Sequence, residues 1–189
     1  MKQRLVPLMA LMLGLLLVGC TSGVSGGGAP GAGSASQPAS TARQPFSGDV
    51  TGSIDGQVYT NEFAELTFTA PGDWAYLDQP VMDMNAAGGG ALVTVSVESD
   101  FGVGVEEHLE MVSSGLIETQ AAYEYERVDG FGRATIRGNA YVVLEMNAKP
   151  FGAEQKQYYL SRAREGYIID IVITCPGSDD YESILACFS

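Results

Sequence analysis

An α+β fold, an antiparallel sheet with helices packed against it, follows from three features of the 189-residue sequence. Short runs alternate apolar and polar residues from residue 57 onward. Gly and Pro punctuate them at hairpin spacing, and two stretches change to helical spacing.

Gln57–Thr60 is a short strand, Asn61–Ala64 a turn, and Glu65–Ala70 a strand buried on one face. Pro71-Gly72-Asp73 forces a turn before extended Trp74–Leu77. Asp78–Gly90, with Pro80 and three consecutive glycines, reads as a mobile loop, and Ala91–Glu98 alternates again. From Val105 the period changes: Val105, Leu109, Val112 and Leu116 form the stripe of an amphipathic helix with Glu106, Glu107 and Glu110 outside it. Four extended segments follow, Tyr123–Val128, Gly132–Arg137, Ala140–Asn147 and Glu154–Arg162, with turns at Gly130 and Gly138-Asn139. Tyr167–Cys175 is apolar except for Asp170, the pattern of a central strand covered on both faces. Ser178–Phe188 closes the chain as a helix whose acidic first turn (Asp179, Asp180, Glu182) suits the positive end of its dipole.

The first 56 residues carry a different message. Lys2 and Arg4 precede an apolar run from Leu5 to Val18, too short to span a bilayer comfortably, which reads as a cleaved signal peptide over residues 1–19. Leu17-Val18-Gly19-Cys20 resembles the lipobox of bacterial lipoproteins. That resemblance implies a diacylglycerol thioether on Cys20, cleavage before it, and attachment to the extracytoplasmic face of a bacterial cell membrane. Residues 21–56 hold few apolar anchors and much Gly, Ser, Ala and Pro, so residues 20–56 are expected as a lipidated cysteine plus a disordered linker. Such a chain has an r.m.s. span of roughly 30–35 Å. Residues 57–189 suffice for one domain with one core.

Charge is uneven. All 23 acidic residues lie beyond Cys20, and Gln44–Glu126 holds 15 of them with no Lys or Arg. That field repels nucleic acid and anionic headgroups and attracts cations or a basic partner. Cys175 and Cys187 are expected as free, largely buried thiols. The helix between them rises about 13 Å, whereas bridged Cα atoms lie within about 7 Å.

Catalytic signals are sparse. His108, the only histidine, has Met111 and Val112 at i+3 and i+4 and so lacks a metal-binding neighbour; it is expected to be exposed. No Gly-x-Ser-x-Gly elbow positions a nucleophile. Asp83-Met84-Asn85 lacks the ligand ladder of a calcium loop, and Gly102-Val103-Gly104 lacks the context of a phosphate cradle. No cofactor and no dedicated metal site are expected. Trp74, Tyr76, Tyr123, Tyr125, Tyr158 and Tyr159 are read mainly as core, with a ligand groove as the other reading and one of the adjacent pair Tyr158/Tyr159 pointing outward.

Tyr59-Thr60-Asn61-Glu62-Phe63, Leu66-Thr67-Phe68, Pro71-Gly72-Asp73-Trp74, Gln157-Tyr158-Tyr159-Leu160 and Gly166-Tyr167-Ile168-Ile169, with a final helix ending Cys187-Phe188, together resemble the PsbP-like superfamily. This superfamily takes in PsbP, the Ran-binding Mog protein and DcrB. The resemblance covers residues 57–188 and implies an αβα sandwich with a central, mainly antiparallel sheet of about six strands. Its characterised members mostly bind partners and are not enzymes.

The sequence therefore predicts a lipid-anchored, non-catalytic module that binds a protein or envelope component, with Glu106, Glu107 and Glu110 as its partner-binding acidic face. The alternative is a small-ligand or cation-binding module serving a transporter or sensor. A cell-wall hydrolase stands third, since the chain shows carboxylates but no acid/base pair.

Overall fold

The computed structural model describes residues 48–79 and 81–189. The signal segment, Cys20, the linker as far as residue 47 and Pro80 lie outside them. All strand pairs are antiparallel, as expected, but the central sheet has eight strands instead of about six, and a second, smaller sheet is present. β1 (Ser53–Asp55), β2 (Val58–Asn61) and β3 (Leu66–Thr69) form a three-stranded sheet. An eight-stranded sheet contains β4 (Ala75–Tyr76), β5 (Met84–Gly88), β6 (Ala91–Ser99), β7 (Glu126–Arg127), β8 (Gly132–Ile136), β9 (Asn139–Ala148), β10 (Gln155–Arg164) and β11 (Tyr167–Cys175). Its order is β4-β5-β6-β11-β10-β9, with β7 and β8 in succession on the outer edge of β9. Helices α1 (Val105–Thr119) and α2 (Ser178–Leu185) complete the domain.

β11 lies between β6 and β10, as its apolar sequence requires. Its alternate residues serve two faces. Ile169, Ile171, Ile173 and Cys175 join a core with Tyr59, Leu66 and Phe68 of the small sheet and Ile184 of α2. Ile168 and Asp170 point the other way, toward the layer of α1, which packs on β9 and β10 through buried Leu109 and Leu116. Each buried Ile or Leu contributes about 1.5–3 kcal/mol relative to exposure, so these two layers hold the domain together.

Several expectations need correction. β1 falls inside the stretch read as linker: Ser53–Asp55 pairs with Val58–Thr60, and Asn61 Nδ2 donates to the Val50 carbonyl oxygen at 2.9 Å. The loop expected at 78–90 contains β5, where Met84 and Ala86 fill the core and Gly89-Gly90 make the turn into β6. Tyr123–Val128 is not one strand; a 3-10 turn at Ala121–Tyr123 leads to two-residue β7. The β8–β9 turn centres on Arg137-Gly138, at φ of 51° and 80°, not on Gly138-Asn139. α2 stops at Leu185 because Phe188 pairs with Phe68 as a β-bridge and Ser189 exchanges two backbone hydrogen bonds with Thr67. Tyr158 and Tyr159 are both buried, since β10 is covered on both faces. Cys175 and Cys187 are free, as expected; Cys175 is buried and Cys187 half-buried.

Candidate functional site

Glu106, Glu107 and Glu110 lie exposed in the first two turns of α1, but the structure pairs two of them. Arg133 of β8 donates to Glu106 at 2.9 Å, and Arg127 of β7 donates to Glu110. Glu110 is held below the ordinary carboxyl range by that arginine. The two contacts clasp the helix to the sheet edge and leave Glu107 as the unpaired carboxylate of the three. The expected acidic face is thus partly neutralised. Cys20 lies outside the described residues.

His108 is not exposed. Its ring reaches under α1, where Nε2 donates to Asp170 Oδ2 at 2.9 Å, and Ser161 of β10 donates to the other Asp170 oxygen. Glu98 lies close enough for its charge to act on both partners. The hydrogen bond to Asp170 outweighs burial and raises the His108 pKa. Burial first, then the Asp170 charge, raise that of Glu98. Ser, Asp and His therefore meet, but with the carboxylate in the middle. A nucleophilic relay needs the histidine between serine and acid, so this arrangement docks α1 on the sheet and does not activate Ser161. No group of three His, Cys, Asp or Glu side chains among the described residues is placed to hold a metal ion.

The aromatic residues do not converge on a groove. Trp74 packs near Phe68, with ring centroids 6.0 Å apart, and Tyr158 stacks on Tyr181 at 4.0 Å in the core facing α2. Tyr123 and Tyr125 stack separately, at 5.9 Å, beside exposed Phe151. Asp83 accepts hydrogen bonds from Gly52 N, Tyr59 Oη and Asn61 Nδ2 and so ties the entry segment to the small sheet.

Sequence reasoning missed a cleft of about 520 Å³ between the β2–β3 connection and the β8–β9 turn. Thr60, Asn61, Glu62 and Glu65 form one wall; Arg137, Gly138 and Asn139 form the other. Behind it, buried Arg162 donates to Tyr141 Oη at 3.1 Å and to the Ala64 carbonyl oxygen. Arg164 pairs with Glu65 at 2.8 Å. Arg164 and Asn139 hold Glu65 below the ordinary carboxyl range. These contacts hold Glu65 in place, while Arg137 and Glu62, which also line the cleft, form no ion pair among the described residues. The only sequence signal was the Arg-Gly pair opening β9, since the walls lie some 75 residues apart.

This architecture defines a class: an α+β domain with a largely antiparallel central sheet, a helix on one face, and a small sheet plus a second helix on the other. No protein-family model and no curated protein matches the chain in sequence. Among solved structures, cyanobacterial PsbP (CyanoP) from Synechocystis sp. PCC 6803 is similar, with a TM-score of 0.50 and 13% identity over 79% of this chain and 98% of that one. A protein from Bacteroides thetaiotaomicron VPI-5482 is similar at 0.46 and 11%, over 72% of this chain and 48% of that one. LpqN, involved in cell envelope biogenesis of Mycobacterium tuberculosis, is similar at 0.39 and 12%, over 65% and 76%. The likeness to CyanoP gives the particular fold: the domain has a PsbP-like fold.

Proposed function

We propose that this protein is a lipid-anchored extracytoplasmic lipoprotein whose PsbP-like domain acts as a non-catalytic accessory module, binding a protein or envelope component. The observation that carries the reading is the lipobox-like Leu17-Val18-Gly19-Cys20 placed ahead of a Gly/Ser/Ala/Pro-rich stretch and a PsbP-like domain. That order suits a module held near a membrane by acyl chains, each buried methylene contributing about 0.8 kcal/mol. The Asp170-centred cluster supports a non-catalytic role, because its histidine and serine are both turned to the same carboxylate. The docking face is the outer side of α1, where Glu107 is unpaired and Glu106 and Glu110 share their charge with Arg133 and Arg127.

Cross-linking on intact cells carrying the tagged protein tests this, with Cys20→Ser as the mislocalised control. The expected result is one partner recovered from the anchored form alone, its capture weakened by salt and by Glu107→Gln. Equal recovery from both forms, or capture indifferent to Glu107 and to salt, overturns it.

A further inference from the structure

The structure assigns a second binding site, independent of the α1 face: the cleft at Arg137 accepts a small zwitterion, an amino acid or short peptide with free amino and carboxylate ends. The first ground is an imbalance in ion pairing. Of the seven Lys and Arg among the described residues, Arg127, Arg133, Lys149, Lys156, Arg162 and Arg164 each lie within 4.0 Å of a carboxylate. Arg137 makes no such pair, although the chain carries 23 acidic residues against 10 basic ones. A guanidinium left open in an acidic domain is set to receive a carboxylate from outside, and its planar fork fits one in bidentate fashion.

The second ground is place. Arg137 is exposed, but it lines the cleft, with Asn139 beside it. Its backbone sits in the left-handed region at φ of 51°, as does Glu65 opposite at 49°. The third ground is the facing wall, where Glu62 is exposed and forms no ion pair, so it can take an ammonium group. Glu65 is already engaged by Arg164 and does not compete for Arg137. A cleft of about 520 Å³ lies within the range of small-molecule sites and holds a ligand of dipeptide size. The opposed free charges favour a zwitterion over a simple anion, which Glu62 and Glu65 would repel.

Titration of the full-length protein in detergent with glycylglycine, followed by calorimetry and by the 15N amide signals of Gly138 and Asn139, tests the assignment. Glycylglycine amide removes the carboxylate and N-acetylglycylglycine the ammonium. Saturable shifts confined to the cleft are expected, weakened about tenfold or more by the amide and by Arg137→Gln. Glu62→Gln weakens glycylglycine but leaves the acetylated peptide unaffected. Lys149→Gln, which removes an equal charge outside the cleft, leaves affinity unchanged, and dispersed amide spectra show each variant folded. No saturable shift, or equal binding by Arg137→Gln, overturns the site. Failure here leaves the α1 docking face untouched, since that face is read by cross-linking and salt.

Discussion

Removing the His108–Asp170 pair should uncouple α1 from the central strand in a pH-dependent way. His108→Gln takes away the cation that faces Asp170 and leaves two carboxylates, Asp170 and Glu98, acting on each other. Asp170→Asn removes the charge from the other side. A hydrogen bond to a charged group contributes about 1.5–3 kcal/mol. The side chains keep 17% and 14% exposure, so solvent screens part of that. A coupling of about 1–2 kcal/mol at about pH 6 follows, or about 4–8 °C in Tm for a domain of this size. The pH dependence has a definite sign. Asp170 raises the His108 pKa above its ordinary 6.5. The stabilisation is therefore complete below the unfolded value and is lost as pH rises through the folded one. Urea denaturation of the two single variants and the double variant, at about pH 6 and about pH 9, measures the coupling at each pH. A coupling absent at the lower pH, or equal at both, refutes the reasoning.

Three further outcomes are expected. Glu98 is held protonated more readily in the fold than in the unfolded chain, so its contribution is present at low pH and lost as pH rises through its folded value. Because Glu98 is only half-buried and solvent screens its charge, Glu98→Gln should stabilise by no more than on the order of 0.5 kcal/mol at about pH 7 and by nothing at about pH 4; destabilisation at the higher pH in urea melts contradicts this. Gly88→Ala places a methyl group 2.3 Å from Trp74 Cδ1, so it should cost about 2 kcal/mol and shift tryptophan fluorescence; an unchanged melting curve contradicts the packing. Alkylation of denatured, unreduced protein followed by peptide mass mapping should label both Cys175 and Cys187, and a missing label on the pair would reveal a disulfide.

The sequence displayed the elements whose periodicity is strong. β6 alternates over nine residues, β11 is apolar but for Asp170, and Leu109 and Leu116 mark the inner stripe of α1. β5 escaped because Met84-Asn85-Ala86-Ala87-Gly88 is built of small residues beside a glycine run, and its pairing with β6 carries it in spite of weak propensity. β1 escaped because three exposed residues hold their strand through partners further along the chain. His108 was misread for a related reason: its partner lies 62 residues away, and helical spacing reports only neighbours within a turn or two. A signal was nonetheless present, because an aspartate inside a central apolar strand demands a partner, and the lone histidine sits one residue before a buried leucine on the helix. The cleft had no comparable signal. Its walls are two tight connections some 75 residues apart in the chain, and no periodicity encodes their approach.

Mass spectrometry of the N-terminal peptide of protein extracted from host membranes tests the central claim, anchoring at Cys20, most directly. Lipid anchoring predicts a chain that begins at Cys20 with a thioether-linked diacylglycerol. An unmodified Cys20, or a mature chain that begins elsewhere, contradicts it.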